Sequence, residues 1–168
     1  MSTQAGSAGG AVTADPVTAL THTLRGVHRT RVEWIDTDAA GIYHNSTVTR
    51  YAEAAEAELM RSRGLWQYFP RAPRVRFEVD FEAPLCFGQQ VTAVVELECL
   101  GTASMSFRFE IWGEELHGRP RTRAASGRYV TVHVEPGRDS AVPVSSTPWP
   151  VEWVAALQRL PQEEPRPD

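Results

Sequence analysis

The sequence predicts an α+β domain in which an antiparallel sheet carries one long helix on its face, and three observations predict it. The stretch from Ser46 to Arg63 places Val48, Tyr51, Ala55 and Leu59 at steps of three and four, one continuous stripe on a helix. Several other stretches alternate apolar and polar residues with period two, the signature of half-buried strands. The turns between the later strands are short, as hairpin connections are.

Taken in order, residues 27–35, "VHRTRVEWI", mix Val and Trp with charges at near-alternating positions and read as a strand with one wet face, ended by "DTDAAG". Ser46 or Asn45 is expected to cap the helix that follows, and Gly64 to close it in a left-handed turn. Ala52, Ala54, Ala55 and Ala57 keep that helix thin, so that a sheet can curl closely around it. Beyond "WQYFPRAP", Val75, Phe77, Val79 and Phe81 face one way, and Arg74, Arg76, Glu78, Asp80 and Glu82 the other. Val91, Ala93, Val95, Leu97 and Cys99 then alternate, followed across a turn at Gly101 by Met105, Phe107, Phe109 and Ile111. A last strand spans about Arg121 to His133, with Gly127 as a bulge or a point of close approach. A short terminal helix is expected after Pro150, a first-turn residue, with Val154, Leu157 and Leu160 on one face.

The 168 residues suit one domain, expected over 25–160, with flexible tails at 1–24 and 161–168. A hydrophobic share of 42% with 23% charged residues is ordinary for a soluble globular chain, and no run approaches the roughly 20 apolar residues of a membrane span. The net charge of −4 argues against general nucleic-acid binding. The opening segment lacks the basic start and apolar core of a secretory signal, so Cys86 and Cys99 are expected as reduced, buried thiols in a cytoplasmic protein. No metal-ligand spacing, Gly-rich phosphate loop or Gly-x-Ser-x-Gly elbow is present, which disfavours metal, nucleotide and serine-hydrolase chemistry.

Chemistry-bearing residues gather ahead of the long helix. Asp38 can take part directly, while Asp36 is the better candidate to hold the turn. His44 titrates near neutrality and can move a proton; Asn45 can donate to a carbonyl oxygen or cap the helix, as Ser46 can. Glu53 lies on the flank away from the apolar stripe. If the sheet encloses the helix, burial there would raise its pKa toward that of a working base; otherwise it pairs with Arg50 or Arg61. Arg71, Arg74 and Arg76 either meet a phosphate or an acidic carrier protein, or lie solvated on an edge strand.

"DTDAAG", a tyrosine, a histidine and "RYAEAAEAEL", joined to the later strands, resemble the hotdog-fold acyl thioesterases of the 4-hydroxybenzoyl-CoA thioesterase type over roughly Gly26 to Val134. The resemblance implies a sheet wrapped around a central helix, a homodimer or homotetramer with sites at the subunit boundary, and an acyl thioester of coenzyme A or an acyl carrier protein as substrate. No cofactor is expected beyond the coenzyme A or phosphopantetheine of that substrate. It further implies Asp38 as nucleophile or base and a backbone N–H of the segment starting at Gly41 as a carbonyl donor.

Members commonly read Gly, two aliphatic residues, Tyr, His, a small residue, Asn and Tyr. Here Gly41 is followed by Ile42, Tyr43 and His44, so Tyr and His arrive one place early. Similarly altered loops occur in hotdog proteins of bacterial secondary metabolism that add glycine to an enoyl thioester by conjugate addition. That alternative brings glycine as a partner and a guanidinium, from Arg50, Arg74 or Arg76, for its carboxylate. A third alternative is an acyl-binding protein without activity. The expected site is therefore Asp38, His44 and Glu53 for chemistry, with Gly41, Tyr43, Asn45, Ser46 and one of the arginines around the substrate.

Overall fold

The computed structural model describes residue 20, residues 22–135 and residues 145–160; most of the two expected tails lies outside these. Strand β1 (Leu24–Arg31) leads to helix α1 (Asn45–Ser62), then β2 (Arg74–Phe81), β3 (Gln90–Leu100), β4 (Ser104–Gly113), β5 (Thr122–Val132) and helix α2 (Val151–Gln158). The strands form one sheet of order β1-β3-β4-β5-β2, antiparallel throughout, with β1 and β2 as its edges. The hotdog class expected from the sequence is the observed one.

Helix α1 buries its stripe, Val48, Tyr51, Ala52, Ala55 and Leu59, in a common core with Ala93, Val95, Leu97, Phe107, Phe109 and Ile111 of the sheet. The approach is close enough to demand glycine at one point. A Cβ on Gly26 would stand 2.0 Å from the carbonyl oxygen of Ala55. Gly127 likewise marks close approach and not a bulge, since a Cβ there would lie 2.1 Å from the Glu78 carbonyl oxygen and 2.6 Å from the Phe109 ring.

Several expected boundaries move, each for a local reason. β1 ends at Arg31, and Trp34–Asp36 forms a single 3₁₀ turn, because the Asp36 carboxylate accepts the Glu33 N–H at 2.9 Å and pulls the chain off the sheet; Trp34 and Ile35 are left exposed. His44, and neither Ser46 nor Asn45, caps α1, with its Nδ1 accepting the Ser46 N–H at 3.1 Å. Gly64 does close the helix, at φ +73°. The register of β3 against β4 shifts between Leu97 and Cys99, so Leu100 enters the core and Cys99 stays half-buried. Neither cysteine is fully buried or bonded.

A second shift, between Arg74 and Arg76 at the start of β2, matters more. Val75 is the extra residue, pushed out to 60% exposure, and Arg74 takes the inward face that alternation assigned to Val75. Phe77 and Val79 keep the expected phase, while Phe81 is 47% exposed. At the other end, Pro150 is the cap of α2, just outside its first turn. Trp153, Ala156 and Leu157 are buried there and Leu160 is exposed. Trp149 and Trp153 pack on Tyr68 and His133, which fastens α2 and its approach to the body.

Candidate active site

The loop between β1 and α1 is organised from below by Asp36. Its buried carboxylate accepts the Glu33 N–H, the Tyr51 hydroxyl at 3.2 Å and the Arg50 guanidinium, while its carbonyl oxygen accepts the His44 N–H at 2.6 Å and the Thr47 hydroxyl at 3.2 Å. Asp36 therefore holds the loop to the helix, as its place in the turn predicted. Burial pushes the Tyr51 hydroxyl up to about 12.

On this base the chain makes a tight turn. Asp38 donates its N–H to Ile42 at 2.9 Å and accepts the Gly41 N–H at its carbonyl at 3.0 Å, with Gly41 at φ +75°. The Asp38 carboxylate is exposed and accepts the Ala40 N–H at 2.8 Å, which fixes its orientation without burying it. Tyr43 turns into the body, where its hydroxyl donates to the Ala124 carbonyl at 3.2 Å and its ring meets Phe81. Burial raises its pKa, with Glu82 adding to the effect.

His44, Asn45 and Ser46 are exposed at the helix start. The His44 Nδ1 accepts from the Ser46 N–H, and the Ser46 hydroxyl lies 2.7 Å from the same nitrogen. Accepting there places the proton of the neutral ring on Nε2. Asp38, Gly41, His44, Asn45 and Ser46 thus share one exposed loop and first turn, where the helix presents its positive end. Tyr43 supports that turn from inside.

Glu53 stands two turns further along α1, half-buried, and its partner is Arg74, whereas Arg50 and Arg61 pair elsewhere: Arg50 with Asp36, and Arg61 with Glu58 at 2.5 Å. Arg76 is exposed and donates to Glu78, and Arg71 lies 3.7 Å from Glu135. Each arginine considered for an anionic substrate group is engaged with a carboxylate of this chain.

The sequence reading missed Glu56. It is fully buried, and Arg74 bridges it to Glu53, donating through Nη2 to Glu56 and through Nη1 to Glu53. The Tyr68 hydroxyl donates to Glu56 Oε1 at 2.7 Å, so the Thr131 hydroxyl, 2.9 Å away, must donate to Tyr68. Burial raises the pKa of Glu56, opposed by Arg74 and Tyr68. The Arg74 guanidinium, lowered by burial but raised more by Glu56 and its neighbours, ends above its ordinary value. One signal was available: Glu56 falls between Ala52 and Leu59 in the phase of the apolar stripe, where a charge needs a partner.

Three concavities, of about 450, 650 and 390 Å³, lie on the charged outer face of β2, β4 and β5, beside β1 and β3, and between the end of α1 and α2. None of the three is lined by Asp38, His44, Asn45 or Glu53. Among the described residues no helix is long and apolar enough to cross a membrane.

Comparison with known proteins matches residues 32–157 to the model of a family described as the thioesterase-like superfamily. A protein of Aquifex aeolicus (strain VF5) named "Putative esterase" is 28% identical over 97 residues, which are 54% of this chain and 74% of that protein. Among solved structures, a mutant 4-hydroxybenzoyl CoA thioesterase complexed with 4-hydroxybenzoyl CoA superposes with a TM-score of 0.68 at 15% identity, covering 80% of this chain and 99% of that one. A structure described as "a predicted thioesterase from Bacillus stearothermophilus" gives a TM-score of 0.65 at 25% identity, covering 80% and 94%.

Proposed function

Because the chain belongs to the thioesterase-like superfamily, whose model spans residues 32–157, we propose that it hydrolyses an acyl thioester of coenzyme A or of an acyl carrier protein. Family membership supports thioester hydrolysis as the general reaction class. The observation that carries the site is the exposed, oriented Asp38 carboxylate in the loop that leads into the α1 N-terminus. In this reading Asp38 attacks the acyl carbon or activates water against it, and the Asn45 amide and the helix start stabilise the oxyanion. His44, whose neutral ring carries its proton on Nε2, donates a hydrogen bond from that nitrogen to the sulfur, which departs as a thiolate. Glu53 acts from the flank as a second carboxylate near the reacting carbonyl. The thiol carrier is part of the substrate, and no separate cofactor is required.

The same reading has a second copy of the chain completing the acyl channel, in a homodimer or a larger assembly of dimers, and places the protein in the cytoplasm. β2 is a sheet edge, and antiparallel pairing of two copies about Phe77 would set Arg76 against Glu78 and Val75 against Val79. Sedimentation showing only single chains would remove this part of the reading.

Amine addition needs a guanidinium for the carboxylate of glycine, and Arg50, Arg74 and Arg76 are each paired within the chain. That favours hydrolysis. Crotonyl-CoA and butyryl-CoA, incubated with and without glycine, should release thiol at rates independent of glycine, and Asp38→Asn should lower kcat by about 100-fold or more. Glycine-dependent mass gain would establish the addition reading instead, and binding without thiol release would establish an acyl-binding protein.

A further inference from the structure

The hydrogen-bonded chain Thr131, Tyr68, Glu56, Arg74, Glu53 begins in the buried face of β5 and ends on a half-exposed carboxylate. We propose that Glu56, acting through Arg74, is a positioning residue for Glu53, setting the direction in which the Glu53 carboxylate meets the substrate. The inference rests on the reading of Glu53 as a participant in thioester hydrolysis.

Three features support it. Arg74 reaches inward only because the extra residue Val75 changes the phase of β2 at its first residue. A guanidinium is planar, so once one edge is fixed on Glu56 the direction of its remaining donors is fixed as well. The two carboxylates differ sharply in access, with the Glu56 side chain 1% exposed and the Glu53 side chain 45% exposed, so one anchors and the other presents.

Stability alone gives little reason for the arrangement. A buried ionic cluster is commonly no more stabilising than apolar residues of the same volume, and the stripe position of Glu56 would suit a leucine or methionine. The Arg74 guanidinium also stands over the Tyr129 ring at 4.9 Å, so its plane is held from a third side. Charged groups facing Glu53 and Glu56 therefore come from β2, and the tyrosines around them from β5 and the loop after α1. What this geometry supplies is a single orientation for one outward carboxylate.

The test is a kinetic double-mutant cycle with butyryl-CoA and crotonyl-CoA, reading thiol release and the melting temperature of every variant. Glu56→Gln should lower kcat roughly tenfold to a hundredfold with KM within about twofold, the loss expected when a reacting group is displaced by about an ångström. Combined with Glu53→Gln, the second change should cost nothing further. Tyr68→Phe, which keeps the volume and removes one donor to Glu56, should show the same pattern at smaller size if Glu56→Gln fails to fold.

Losses that multiply in the double variant would show that Glu56 acts independently of Glu53 and overturn the positioning role alone. Wild-type turnover in Glu53→Gln would instead remove Glu53 from the reaction, and the inference with it. A wild-type protein inactive on both thioesters would overturn both readings.

Discussion

Two buried carboxylates pack along α1, Asp36 from the loop before it and Glu56 from its own second half, and each is met by one arginine and one tyrosine: Asp36 by Arg50 and Tyr51, Glu56 by Arg74 and Tyr68. The first knot is local. Its partners lie within about four turns of chain, one of them is a backbone N–H, and Arg50 keeps half its surface in water. The second is assembled from α1, β2, the loop after α1 and β5, and both Arg74 and Tyr68 are largely withdrawn from solvent. The local knot shapes a backbone loop, and the long-range one aims a side chain.

Removing the carboxylates should separate the two most clearly. Glu56→Ala leaves the Arg74 charge without its deep partner and should destabilise the fold by about 3–5 kcal/mol in urea unfolding, whereas replacing Glu56 and Arg74 together by methionine should be nearly neutral. Equal losses in the two variants would show that packing, and not charge, holds this region.

Asp36→Ala should cost about 2–3 kcal/mol, less than Glu56→Ala because water reaches Arg50, yet it should also lower turnover, since the loop bearing Asp38 loses its floor. An Asp36→Ala protein with full activity would show that the Asp38 turn holds itself.

Tyr51→Phe should cost about 1 kcal/mol near neutrality. The sign of its pH dependence follows from a folded-state pKa of about 12 against 10.0 in the unfolded chain. The protonated hydroxyl is favoured by folding, so its contribution is fully present below pH 10 and is lost as pH rises through 12. Alkaline unfolding curves of wild type and Tyr51→Phe should therefore converge between pH 10 and 12; parallel curves would mean that Tyr51 does not titrate in this window.

The sequence made the architecture legible because burial repeats with a period that each element imposes. The α1 stripe and the faces of β3 and β4 are visible residue by residue. What periodicity hides is a change of phase: one extra residue at Val75 and another before Cys99 leave composition untouched while reversing which neighbours point inward. The site divides the same way. Asp36, Asp38 and the helix start lie close together along the chain and were recognisable, although the cap is a histidine ring where a hydroxyl or amide is commoner. Glu53 was visible but its partner was not, because Arg74 reaches it only through the phase change in β2.

That added residue makes residue count, as much as residue identity, a determinant of this protein's chemistry. A regular strand that took Val75 into the ladder would keep every acid and every base, yet it would swing the Arg74 guanidinium to the solvent side and strand an anion in the interior. Deleting Val75, by contrast, would bring Arg74 two places before Phe77 and leave it facing inward. Among relatives, the spacing between the arginine and the first inward aromatic of the second strand is thus the quantity to tabulate when asking which of them share this interior wiring.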